Sequence, residues 1–323
     1  MAAGYRDLWW PLDRVDLMKT AADLTELVGN TPLLRLDRFA AGAHATVLAK
    51  LELLNPYSVK DRPVREMISA AEERGELRPG MTLVEATSGN TGMALAAFGR
   101  LRGYWVRLYM SEIQSIERRK ILAALGAELV LTPAAEGTAG AKRRCMAYAD
   151  AHDDAWYANQ HGNPDNRAAH VKTTAEELWR DTDGQIDALV AGLGSCGTLC
   201  GVSSVLSPRK AGFRAIGVEP IEAPMISEGR FAAHRMMGTS PGFVPDLLDR
   251  ELVHEVMQVP TESAFAAARD LALEEGLVVG ISSGATCWAA RELARRPESA
   301  GLTIVAIVAD SGQRYLSVDG LFA

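Results

Sequence analysis

The chain has 323 residues, 48% hydrophobic and 23% charged, the proportions of an ordinary globular protein with room for one or two domains. A net charge of -7 argues against general nucleic-acid or anionic-membrane binding, and no run of about 18 apolar residues exists to span a membrane. Four cysteines are too few for a disulfide scaffold and no Cys/His cluster has zinc spacing, so no metal is expected and a reducing, cytoplasmic setting is.

Met1 to Leu17 carries Trp9, Trp10 and Pro11 among charges and lacks the apolar core of a signal peptide. Residues 1–22 therefore read as an N-terminal arm. Residues 23–36 read as a short helix, a turn at Gly29-Asn30-Thr31-Pro32 and an extended piece. From there short apolar runs alternate with helical patterns. Strands are expected at 46–51, 82–85, 105–110, 128–131, 156–158, 188–191, 215–219 and 303–308. Helices are expected over 64–75, 91–101, 115–125, 139–152, 167–180, 198–206, 261–275 and 284–295. This alternation predicts an α/β fold of mostly parallel sheets flanked by helices. Residues 220–245, with four prolines and three glycines, are the least regular. A loop that long is either a lid or an irregular surface excursion.

The loops at the strand ends carry the candidate chemistry. Asn55-Pro56 breaks regular structure and Pro63 suits a first helical turn, so Lys60 sits on a loop at a helix start. Flanked by small and apolar residues, such a lysine can lose its proton and attack a carbonyl; the alternative is a solvated surface lysine. Thr87-Ser88-Gly89-Asn90-Thr91-Gly92 follows a strand and opens a helix, a setting suited to a carboxylate. Its two glycines and four polar residues exceed what helix capping requires. Gly192 to Thr198 can cradle a phosphate. It also matches a dinucleotide fingerprint, with Glu219 where a ribose-binding acid belongs, and the loop alone does not separate the two. Cys196 and Cys200 read as small packing residues. Residues 309–316, the Gly/Ser turn 280–285 and the polar turn 160–164 complete the set. Lone histidines such as His152 and His254 read as surface or capping residues. A lysine and a phosphate cup together point to pyridoxal phosphate held as a Schiff base, whereas an NAD enzyme leaves Lys60 and residues 87–91 without roles.

From Gly29-Asn30-Thr31-Pro32-Leu33 to Tyr315-Leu316-Ser317 the chain resembles the cysteine synthase and cystathionine β-synthase family. The motifs carrying the likeness are Asn55–Arg62, Thr87–Gly92 and Gly192–Thr198. The resemblance implies the tryptophan synthase β-like fold of fold type II pyridoxal phosphate enzymes, with two open, mostly parallel sheets. The expected smaller α/β domain is 45–162, carrying the carboxylate loop; the larger is 23–44 plus 163–323, carrying the phosphate loop. A cytoplasmic homodimer acting on amino-acid substrates is implied, with neither nucleic acid nor membrane as a partner.

By that resemblance Lys60 forms the internal aldimine and moves the α-proton. Asn90 meets the ring oxygen, Ser311 faces the pyridine nitrogen, and Gly194, Ser195, Cys196, Gly197 and Thr198 hold the phosphate. Thr87, Ser88, Gly89, Thr91 and Gln160 hold the substrate carboxylate. The implied reaction is β-replacement on an activated L-serine through an α-aminoacrylate, with L-cysteine from O-acetylserine and sulfide as the leading product. The alternatives are a specialised β-substituted alanine synthase using O-phosphoserine or another nucleophile, an NAD-dependent oxidoreductase, and a non-catalytic cofactor-binding protein. Two departures stand out. Asn55 to Lys60 is one residue shorter than the family spacing, with Tyr57 in place of two small residues. Ala233-His234-Arg235-Met236-Met237-Gly238-Thr239-Ser240 stands where sulfhydrylases commonly read Pro-His-Lys-Ile-Gln-Gly-Ile-Gly. Arg235 there either pairs with an anionic group such as a phosphate or is a solvated lid residue.

Overall fold

Aliphatic runs separated by amphipathic segments build two open sheets in the computed structural model, which describes residues 20–87, 89–112 and 116–322. Most of the expected N-terminal arm, and Ser88, lie outside the described residues. In chain order the first elements are β1 (Leu33–Arg35), β2 (Thr46–Leu51), α1 (Asp61–Glu73), β3 (Thr82–Ala86) and α2 (Asn90–Leu101). Then come β4 (Trp105–Ser111), α3 (Ile116–Ala124), β5 (Glu128–Thr132), α4 (Gly137–Ala151), β6 (Ala155–Tyr157), α5 (Pro164–Ala169) and α6 (Ala175–Asp181). The remainder is β7 (Ala188–Gly192), α7 (Gly197–Arg209), β8 (Arg214–Pro220), α8 (Met225–Glu228), β9 (Glu255–Val259), α9 (Thr261–Glu274), α10 (Ile281–Ala294) and β10 (Thr303–Val308).

The larger sheet runs β1-β2-β10-β7-β8-β9 and the smaller β5-β4-β3-β6. Among the described residues all strand pairings are parallel except β1 with β2. Central β10, Thr-Ile-Val-Ala-Ile-Val, is buried along all but its first residue, because helices cover both faces of its sheet. α9 and α10 pack on one face of that sheet, and α7 with Leu178 of α6 on the other. The smaller sheet takes α1 and α2 into its core through Val64, Met67, Ile68, Leu95 and Phe98.

Two differences from the sequence reading bear on the site. β2 pairs with β1 and β10, so it belongs to the larger sheet and not to a smaller unit beginning at residue 45. The single helix expected over 167–180 is α5 and α6 joined by a π-turn at His170–Thr174, a widening frequent at functional sites. The chain therefore passes from the larger sheet to the smaller core between β2 and α1, and returns after β6. Lys60 lies on the first crossing and Gln160 on the second.

Candidate active site

The loop before α1 is held rigid from both ends. The side-chain amide of Asn55 donates to Glu52 Oε2 at 2.8 Å, and its oxygen accepts from the Gly29 N–H at 2.8 Å. Arg62 binds Glu52 and, from α6, Glu177 at 2.6 and 2.7 Å. Between these anchors the Tyr57 N–H donates to Asp61 Oδ2 at 2.7 Å and closes the shortened loop. The Tyr57 ring tilts against Phe98, with centroids 6.4 Å apart, so the missing residue is filled by aromatic packing on the smaller core.

Lys60 immediately precedes α1 and its side chain lines a cavity. Gly194, Ser195, Cys196 and Thr198 line the same cavity, joined by Gly238, Ser282 and Thr286. Burial holds the Lys60 ammonium below its ordinary value, favouring the neutral amine. That is the condition a carbonyl-attacking lysine needs.

Residues 194–198 meet the requirements of a phosphate cup. The loop leads into α7, whose first N–H groups have no helical partners. Cys196 has φ of 66°, the left-handed turn that points successive N–H groups inward. A Cβ at Gly197 would stand 2.1 Å from Asn166 Oδ1, and one at Gly194 2.6 Å from Gly238 O, so both glycines allow close backbone approach. The Ser195 hydroxyl accepts from Asn166 Nδ2 at 3.1 Å, and Thr198 Oγ1 lies 3.1 Å from His170 Nε2. His170 is fully buried in the π-turn, with Nδ1 2.9 Å from Thr174 Oγ1. Asn166 and His170 thus orient the cup. Sequence reasoning missed both, because nothing local to Thr198 points to a histidine 28 residues earlier.

The expected carboxylate group is brought together as far as it is described. Thr91 Oγ1 donates to Gln160 Oε1 at 2.6 Å, and the Gly89 N–H lies 3.4 Å from Thr87 Oγ1. Buried Glu85 accepts the Gln160 N–H at 2.9 Å and so fixes the second crossing against β3. Burial pushes that carboxyl up to about 7.

Three of the residues singled out in the sequence are engaged by other groups. The Ser311 hydroxyl accepts from the Gln313 N–H at 3.3 Å and its backbone pairs with Val279. Ser282, at the start of α10, lines the cavity. Its neighbour Ser283 is engaged by the Ala309 N–H at 2.9 Å, which leaves Ser282 as the hydroxyl facing inward. The Gly280–Ala285 turn was visible in the sequence without a role. Glu219 accepts from the Ile226 and Ser227 N–H groups at 2.8 and 3.1 Å, a buried cap of α8 with no oxygen left for a ribose. Arg235 lies over the Phe265 ring at 4.7 Å and donates to the Asp319 carbonyl, away from the cavity walls.

A half-buried lysine facing a glycine-rich phosphate cup between two mostly parallel sheets defines a fold type II pyridoxal phosphate enzyme. The chain belongs to the pyridoxal-phosphate dependent enzyme family, whose model matches residues 24–310. It is 43% identical over 317 residues to cysteine synthase A of Escherichia coli (strain K12), covering 95% of this chain and 97% of that protein. The crystal structure of cysteine synthase from Entamoeba histolytica superposes with a TM-score of 0.91 at 38% identity, over 95% of this chain and 92% of that one. O-ureido-L-serine synthase matches with a TM-score of 0.89, also at 38% identity, over 93% and 95% of the two chains. The protein is a member of the cysteine synthase group of that family.

Proposed function

We propose that the protein performs β-replacement on an activated L-serine, with O-acetylserine and sulfide giving L-cysteine. The observation that carries this reading is Lys60 sharing one cavity with Gly194, Ser195, Cys196 and Thr198. Pyridoxal phosphate, when bound, supplies an electron sink for breaking bonds at the α- and β-carbons of an amino acid. Gly194, Ser195, Cys196, Gly197 and Thr198 bind its phosphate through backbone N–H groups and two hydroxyls. Asn90 meets the ring oxygen. Ser282, in place of Ser311, presents a neutral hydroxyl to the ring nitrogen, which suits elimination better than transamination. Thr87, Ser88, Gly89, Thr91 and Gln160 bind the substrate carboxylate at the start of α2. Lys60 takes the α-proton and returns it. The expected assembly is a homodimer.

A second reading, another β-substituted alanine made by the same chemistry, is favoured by one observation. Met237 stands where sulfhydrylases commonly carry Gln, and its sulfur receives Arg118 Nη2 at 3.3 Å. The mouth of the site thus differs where leaving group and nucleophile pass.

The test is spectroscopic. The wild type with pyridoxal phosphate is expected to be yellow, and Lys60→Ala to lose the band of the lysine-linked cofactor. A colourless wild type after cofactor addition overturns the reading. O-acetylserine and O-phosphoserine, each offered with sulfide, thiosulfate and amines, then separate the two products by mass.

A further inference from the structure

Asp310 follows Ala309, a wall of the cavity, and is fully buried. Its Oδ2 accepts from Asn90 Nδ2 at 2.8 Å and from the Tyr315 hydroxyl at 2.6 Å, while Oδ1 has no hydrogen-bond partner among the described residues. Room for that carboxylate is made by Gly280, where a Cβ would stand 2.1 Å from Oδ1. On the other side of the same amide, Arg314 Nη1 donates to Asn90 Oδ1 at 2.9 Å. A carboxamide has one accepting and one donating end. Reversing Asn90 would set its oxygen against a carboxylate and its NH2 against a guanidinium. Its orientation is therefore fixed by charge, and one N–H remains for a ligand.

We propose that Asp310 and Arg314 are a positioning pair that aims the Asn90 N–H at the ring oxygen of bound pyridoxal phosphate. The pair also joins the two halves of the site. Asn90 opens α2, packed on the smaller sheet, whereas Asp310 and Arg314 follow β10 at the centre of the larger one. Both bonds are charge-assisted, so they hold an amide more firmly than neutral partners would. The proposal rests on the cofactor reading above and adds a means of setting the protonation of the ring oxygen.

The experiment compares wild type, Asp310→Asn, Arg314→Met, Asn90→Ala and the double variant Asn90→Ala/Asp310→Asn. The readouts are the absorption spectrum of the lysine-linked cofactor across neutral pH and the affinity of the cofactor-free protein for pyridoxal phosphate. Asp310→Asn and Arg314→Met are each expected to redistribute absorbance between the short- and long-wavelength bands. Each should weaken cofactor binding by about tenfold, the scale of one charge-assisted hydrogen bond. Adding Asp310→Asn to Asn90→Ala should change neither readout further, because the pair acts through Asn90. Should Asp310→Asn fail to fold, Arg314→Met alone carries the spectral test. Cofactor-bound single variants with wild-type spectra overturn this proposal, as does an undiminished Asp310→Asn effect in the Asn90→Ala background. Both leave the cofactor reading intact, whereas a wild type that binds no pyridoxal phosphate overturns that reading as well.

Discussion

The guanidinium of Arg62 meets the carboxylate of Glu52 through two hydrogen bonds of 2.7 and 2.8 Å, and neither side chain has any exposed surface. Glu177 closes the other side of the guanidinium, and Lys50, also fully buried, binds Glu177 Oε2 at 2.7 Å. Two cations and two carboxylates thus satisfy one another where the larger sheet meets α1, two residues beyond Lys60.

Arg62→Met is expected to cost about 3–5 kcal/mol, because it leaves Glu52 and Glu177 buried with Lys50 as the remaining close cation. Arg62→Lys should recover only part, since an ammonium cannot present parallel N–H pairs to two carboxylates. Urea unfolding at neutral pH measures both, and a lower midpoint with an unchanged slope is the expected signature.

The pH dependence of stability should contain two opposing contributions. Burial pushes the Glu177 carboxyl up, but Arg62 and Lys50 outweigh it and hold it at about 2. Its stabilisation is present above the unfolded value of about 4.3 and is lost as pH falls towards 2. Asp61 behaves oppositely. Burial, with Oδ1 lacking a hydrogen-bond partner among the described residues, raises it to about 7. Its contribution is complete below the unfolded value of about 3.9 and is lost as pH rises through 7. Asp61→Asn should therefore gain stability relative to wild type between about pH 4 and 7, with a constant difference above. Thermal unfolding across that range checks the sign.

His170 should act on cofactor retention. Burial drives its imidazole well below the ordinary value, so it stays neutral. In the tautomer in which Thr174 donates to Nδ1, Nε2–H donates to Thr198 and leaves the Thr198 proton for the phosphate. His170→Phe is expected to raise the dissociation constant for pyridoxal phosphate by about tenfold, the worth of one hydrogen bond. Fluorescence titration of the cofactor-free protein measures it, and an unchanged constant refutes the role.

All four cysteines are buried and free. Burial pushes Cys196 and Cys287 each up to about 12, so the thiolate is scarce. A water-soluble thiol reagent should leave the native protein unmodified and label four sites in denaturant. Rapid labelling of native Cys196 would show that the phosphate cup opens to solvent.

Periodicity and punctuation in the chain were enough for the strand and helix alternation, because strands buried on both faces read as unbroken aliphatic runs. They were enough also to single out Lys60 and Gly194–Thr198 as candidates, since a nucleophile beside a helix start and a glycine-rich turn are local chemistry. β9 escaped because a five-residue, half-buried edge strand carries little pattern. Only tertiary structure decided that β2 lies in one sheet while α1 packs on the other, for pairing partners are remote in sequence. It also set the surroundings of Ser311 and Ser282. Both hydroxyls lie in polar turns, and which one faces the cavity depends on the bonds made by their neighbours, Gln313 and Ala309. The same holds for Asn90, whose amide is oriented by charges 220 and 224 residues away. Local pattern names the chemistry of a residue, and long-range contacts set the direction in which it points.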